Sequence, residues 1–177
     1  MLSDAFLAKY TARLGEIIYL LDYHPWYGGN NPSFDEKSRF LLDLKDDKKN
    51  AVERAFASID PHIAAGLSLA VVPGHDPDKI AGGLRRLVGL FGANGRVDAN
   101  TCLVRTKKIA KLAHGGNRSI QTHLDSIEVL DAHLIAGADV LLLDDITTSG
   151  NSLLACRQLL QAAGAGNVQM LAFGKTV

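Results

Sequence analysis

Val140-Leu141-Leu142-Leu143-Asp144-Asp145-Ile146-Thr147-Thr148-Ser149-Gly150-Asn151-Ser152 ends an apolar run on two adjacent acids and follows them with hydroxyls and a glycine. The run is short and continuously apolar, as in a strand buried on both faces of a parallel sheet. From Asn151 or Ser152 a helix begins, with Leu153, Leu160 and Ala163 on its apolar face and Gly164 as its stop. The loop between strand and helix therefore meets a helix N-terminus, where unpaired N–H groups and the dipole favour an anion such as phosphate. Thr147, Thr148, Ser149 and Ser152 add hydroxyl donors, and Gly150 lets the backbone approach the oxygens closely. Two carboxylates beside an anion cradle would repel its occupant unless something neutral or cationic lies between. A ribose 5-phosphate meets that demand, its hydroxyls donating to the acids and its phosphate sitting in the loop. The blander alternative is an acidic pair that only caps a helix, followed by an ordinary strand-to-helix turn.

Outward from this stretch, strand and helix alternate from Leu67 to the C-terminus. LSLAVVP reads as strand, DPDKIAGGLRRLVGLF as helix, NTCLV as strand, then a long polar stretch, ADVLLLDD as strand, NSLLACRQLLQAAGAG as helix and NVQMLAF as strand. The alternation predicts an α/β fold with a mainly parallel, Rossmann-like sheet whose ligands bind beyond the carboxyl ends of the strands. Nearer the N-terminus, Phe6, Tyr10, Leu14 and Ile17 recur at helical spacing, and IIYLLDY reads as a helix end or a strand. FLLDL could be a strand, a helix runs from about Asp47 to Ser58, and YHPWYGGNNPS, residues 23 to 33, is a loop.

With 177 residues, 47% of them hydrophobic, the chain can bury a core unaided, so residues 1–177 are expected to form a single domain. Its apolar runs are too short to span a bilayer, and MLSDAFLAKYTARLG lacks the basic-then-apolar order of a signal peptide. A cytoplasmic chain without membrane contact is expected. The two cysteines, Cys102 and Cys156, lie far apart without CxxC spacing and read as buried, reduced thiols. Nineteen basic and 19 acidic residues cancel, which removes any global electrostatic case for a nucleic-acid partner.

VLLLDDITTSGNS closely resembles the 5-phosphoribosyl diphosphate (PRPP) signature of type I phosphoribosyltransferases: hydrophobic strand, two acids, hydroxyl-rich loop with Gly, then Thr or Ser. The resemblance implies that fold, with residues 67–177 as the PRPP-binding core and residues 1–66 as a small N-terminal hood that selects the acceptor. It implies that Asp144 and Asp145 hold the ribose hydroxyls at the catalytic centre, while Thr147, Thr148, Ser149, Gly150, Asn151 and Ser152 hold the 5′-phosphate. Ligands would be PRPP with Mg²⁺, or a nucleoside 5′-monophosphate, with no protein side chain ligating the metal directly. Tyr23, His24, Trp26 and Tyr27 would belong to the hood, either stacking on a base or packing the loop. In the 6-oxopurine salvage enzymes of the family, the fifth residue counted from the acidic pair is an aspartate that exchanges a proton with the purine. Here it is Thr148, whose hydroxyl cannot serve as such a base.

Two further segments gain a reading from the same resemblance. In VVPGHDPDKI, the loop Gly74-His75 with Lys79 stands where the family holds the diphosphate. Asp76-Pro77 suits an N-cap and first turn for a helix with Ile80, Leu84, Leu87, Val88 and Phe91 inward, and Gly82 and Gly83 within it point to close packing. Asp76 and Asp78 oppose a diphosphate unless Mg²⁺ or Lys79 offsets them, so a plain capping loop is the alternative. RTKKIAKLAHGGNRSIQTHL, residues 105 to 124, concentrates Arg105, Lys107, Lys108, Lys111 and Arg118 without an acid. The resemblance makes it a flexible loop over the reaction centre, with Lys108 and Arg118 acting on the departing diphosphate. A solvated amphipathic helix and a nucleic-acid patch are the alternatives.

The tail GNVQMLAFGKTV and this basic segment resemble ComF-type, competence-associated proteins, although the cysteine-rich zinc segment common there has no counterpart in this sequence. The expectation is thus a phosphoribosyltransferase of unknown acceptor. A non-catalytic PRPP or nucleotide sensor, or a DNA-metabolism accessory protein that uses the basic segment on nucleic acid, is the alternative, and a homodimer stays open.

Overall fold

The computed structural model describes residues 1–10, 13–78, 82–109 and 119–177. Eight strands and six α-helices are found among them, with helix α1 at Asp4–Lys9 and the first two strands, β1 (Arg13–Leu14) and β2 (Ile17–Tyr23), forming a short hairpin. Helices α2 (Glu36–Lys45) and α3 (Lys49–Ile59) follow, then β3 (Ser68–Val71), α4 (Gly83–Gly92), β4 (Val97–Asp98) and β5 (Leu103–Arg105). The chain continues through α5 (Ile120–Leu124), β6 (Ile127–Val129), β7 (Val140–Thr147), α6 (Asn151–Ala162) and β8 (Val168–Thr176). Six strands make one sheet in the order β1-β2-β8-β7-β3-β4, in which every neighbouring pair except β1 and β2 is parallel. This is the mixed α/β, mainly parallel architecture expected, and it is consistent with the type I phosphoribosyltransferase fold.

The sheet is a packed layer because successive side chains of a strand point to opposite faces. On one face Leu69 and Val71 of β3, Leu141 and Leu143 of β7, and Leu171 and Phe173 of β8 meet Leu41, Leu44, Val52, Leu87 and Phe91 from α2, α3 and α4. On the other, Ala70, Val140, Leu142, Met170 and Ala172 meet Leu153, Cys156 and Leu160 of α6, together with Leu103 and Ile127 of the β5–β6 ribbon. Both cysteines are buried and unpaired, as expected. The same parity continues to the end of β7. Asp144 follows Leu142 toward the α6 face, and Asp145 follows Leu143 toward the α2 face.

Several local expectations are corrected. The helical spacing of Phe6, Tyr10, Leu14 and Ile17 is broken after Lys9, because the turn at Gly15 (φ 59°) folds Leu14 and Ile17 into the hairpin. FLLDL is helix α2, not strand. Asp35 caps it by accepting the Ser38 N–H at 2.8 Å, and Ser38, Leu41 and Leu44 fall on one buried helical face. Helix α4 starts at Gly83 rather than at Asp76, whose carboxylate instead accepts the Asp78 N–H at 3.2 Å in a local turn. Leu84, Leu87, Val88 and Phe91 are buried as expected, while Lys79 and Ile80 lie outside the described residues. Strand β5 leaves the central sheet and pairs antiparallel with β6.

Candidate functional site

The carboxyl ends of β3 and β7 open into a cleft of about 770 Å³. It is lined on one side by Asp144, Asp145, Thr147, Thr148, Ser149, Gly150 and Ser152, and on the other by Pro73, Gly74, His75 and Asp76 with Gly82 and Gly83. Two segments 70 residues apart in sequence, each singled out for anion binding, thus share one cavity. Asn151 opens α6 beside them without lining the cleft.

Strand parity gives the two acids different partners. Asp144, 9% exposed, accepts the Asp145 N–H at 2.9 Å and the Ser152 hydroxyl of α6 at 3.2 Å. Burial, with the neighbouring Asp145 charge, pushes its carboxyl up to about 7, against the smaller opposing pull of Lys45 and Ser152. Asp145 points the other way and pairs with Lys45 at 3.0 Å. Burial alone would lower the Lys45 ammonium, but Asp145 and Asp144 outweigh it and the net direction is upward. Lys45 is the last residue of α2 and carries no motif of its own, so sequence reasoning missed it.

The loop from Thr147 to Gly150 is shaped by packing as well as by hydroxyls. Gly150 adopts the left-handed region (φ 81°), and a Cβ there would stand 2.4 Å from Ile17 Cδ1. Its requirement for glycine therefore comes from backbone conformation and from the β1–β2 hairpin. Thr147 is buried, and the hydroxyls of Thr148 and Thr176 lie 3.0 Å apart, tying the loop to the end of β8.

The opposite end is assembled from distant residues. Arg105, expected in the flexible loop, is a buried residue of β5. Its guanidinium donates to the Gly74 carbonyl, to the Pro73 carbonyl at 3.3 Å and to Ser126 Oγ at 2.6 Å, with His123 Nδ1 at 3.3 Å. It braces the loop and itself lines the cleft. Lys108 pairs with Asp76 at 2.8 Å, supplying the offset to that acid that had been looked for in Lys79. The hydrogen bond from Lys108, more than the loss of solvent, holds the Asp76 carboxyl below its usual range. The Ile109 N–H donates to the His75 carbonyl at 3.0 Å, so the start of the basic segment is laced to the loop. Lys107 is exposed, and Lys111 and Arg118 lie outside the described residues.

The N-terminal region reaches the same end of the sheet. Burial raises the Tyr23 hydroxyl, which sits at the end of β2 within the fields of Lys45, Asp145 and Tyr27. Trp26 meets Phe34 edge-on at 4.8 Å, and the Arg39 guanidinium lies 5.0 Å from both rings. Trp26 packs on these side chains while staying 42% exposed, and Tyr27 is 70% exposed.

No protein-family model matches the chain. Over 117 residues it is 32% identical to an adenine phosphoribosyltransferase of Saccharopolyspora erythraea. The chain is similar to a phosphoribosyltransferase. The matched stretch covers 62% of this chain and 64% of that protein's length. The chain thus spans a little under two thirds of the length of the curated relative it matches.

Proposed function

We propose that this chain binds PRPP in the cleft and transfers its 5-phosphoribosyl group to an acceptor, releasing diphosphate. The observation that carries the proposal is the single cavity between the hydroxyl loop at the start of α6 and the braced loop at residues 73–76, with the acidic pair on its wall. The hydroxyls and N–H groups at α6 would hold the 5′-phosphate. Asp144 and Asp145 would accept the ribose hydroxyls, and the Gly74-His75 loop would face the diphosphate. An acceptor nitrogen would attack the anomeric carbon as the bond to diphosphate oxygen breaks, so the protein's contribution is positioning and charge stabilisation. The hard oxygen donors of the cleft suit Mg²⁺, which would enter on the diphosphate, retain most of its waters and neutralise the leaving group. Lys108 brings one cation of the basic segment to this end of the cleft through its pair with Asp76.

The similarity to an adenine phosphoribosyltransferase makes adenine the first acceptor to test. Thr148, in the place of a proton-exchanging aspartate, argues against hypoxanthine and guanine. Diphosphate release is followed with PRPP, Mg²⁺ and each base in turn. Release with adenine alone is the expected result. Turnover of hypoxanthine or guanine that survives Thr148→Ala overturns the inference from that side chain. PRPP binding without release for any acceptor leaves a binding protein in place of an enzyme.

A further inference from the structure

Both acids line the cleft beside the space assigned to a ribose, and a phosphate would enter next to them at the start of α6, so acidic groups converge on one end of the cleft. A divalent cation is one answer to that repulsion. The fold already holds another, the Lys45 ammonium, 3.0 Å from Asp145 on the cleft wall. Its position is built by rigid elements. Immediately before it, the Leu44 carbonyl oxygen occupies space that a Cβ on Gly83 would need, since that atom would come within 1.8 Å of it. Two residues after it, Asp47 takes the left-handed region (φ 57°) and pairs with Arg86 of α4 at 3.3 Å. The end of α2 is thus held against the start of α4 on both sides of Lys45. An ammonium carries three N–H donors and can hold a carboxylate and a ligand oxygen together.

We propose that Lys45 is the resident counter-ion of the acidic pair, so that ribose 5-phosphate binds this cleft without a divalent cation. The inference rests on reading the cleft as a ribose 5-phosphate site. Isothermal titration calorimetry of ribose 5-phosphate into the whole chain, in EDTA and in Mg²⁺, tests it with the wild type, Lys45→Arg and Lys45→Gln. Circular dichroism confirms that each variant is folded. The wild type is expected to bind in both buffers with dissociation constants within about threefold of each other. Lys45→Gln should weaken binding in EDTA by about tenfold, the scale of one charge-assisted hydrogen bond. Mg²⁺ should recover most of that loss, and Lys45→Arg should keep the wild-type behaviour. An unchanged dissociation constant for Lys45→Gln in EDTA, or a loss that Mg²⁺ does not recover, overturns the proposal. A wild type that binds only with Mg²⁺ overturns it without any variant, while leaving the ribose 5-phosphate site standing. A wild type that binds in neither buffer removes the site reading itself.

Discussion

Two helices begin at the cleft, and they are dressed in opposite ways. Helix α6 is preceded by Thr148, Ser149 and a left-handed Gly150, so its first N–H groups sit among hydroxyls supplied by consecutive residues, the Asn151 N–H donating to Ser149 Oγ at 3.4 Å. Helix α4 is capped by Gly82, which like the Gly150 cap of α6 makes no side-chain hydrogen bond, and the described part of the loop that leads toward it carries Asp76 and Asp78 in place of hydroxyls. What α6 obtains locally, α4 obtains from far along the chain, through Arg105 on the Pro73 and Gly74 carbonyls, Lys108 on Asp76, and the end of α2 packed on Gly83. The same helix-end physics thus produces one site written in a contiguous motif and another that exists only after tertiary packing.

The sharpest way to break this contrast is to add a methyl group at each helix start. At Gly83 the added Cβ meets a backbone carbonyl at 1.8 Å, which cannot swing aside. Gly83→Ala should lower the unfolding free energy by about 3 kcal/mol or more, at or beyond the upper end of ordinary overpacking, as read by urea denaturation. Because the strain falls between α2 and α4, it should also displace Lys45.

A second test concerns the Asp144 carboxyl on the α6 side. Its proton is held more tightly in the folded protein, where burial and Asp145 push it up to about 7, than in the unfolded chain near 3.8. The folded state therefore binds more protons across that window. Stability should fall as pH rises from about 4 to about 7 and level off above it, by up to about 1.4 kcal/mol per pH unit. Asp144→Asn should flatten this slope in urea melts collected across the range. An identical slope in the variant would show that Asp144 titrates normally.

The smallest effect is expected at the matching glycine of α6. The Cβ of Gly150→Ala meets the tip of the Ile17 side chain at 2.4 Å and Leu14 Cδ2 at 3.4 Å, the ends of hairpin side chains that can give way where a backbone carbonyl cannot. With the hairpin side chains shifted, the left-handed backbone is the larger remaining cost, about 1–2 kcal/mol. A loss at Gly150 equal to that at Gly83 would erase the difference between the two sites.

The contrast also explains what could be read in advance. Val140 to Ser152 carried its own evidence, because strand burial, hydroxyl loop and helix start are all set within a few residues. Lys45 gave no signal, since a lysine at the end of a helix normally lies in solvent and nothing local says that Asp145, 100 positions away, will meet it. The paired glycines Gly82 and Gly83 did mark close packing, but not its partner, Leu44. Arg105 was grouped with the basic segment by composition, whereas the ribbon that β5 forms with β6 buries it against the loop at the cleft wall. FLLDL shows the ambiguity of a five-residue apolar run. The Asp35 cap three residues before Ser38 was the clue that it begins a helix.

The measurement that bears most directly on the cleft as a PRPP site is a thermal unfolding scan with Mg²⁺ and increasing PRPP. At a concentration a hundred times the dissociation constant, linkage stabilises the folded state by about 2.7 kcal/mol, or roughly 5–10 °C in midpoint for a domain of this size. Ser149→Ala combined with Ser152→Ala should shrink that shift. An unmoved midpoint for the wild type at millimolar PRPP would contradict the assignment of this cleft.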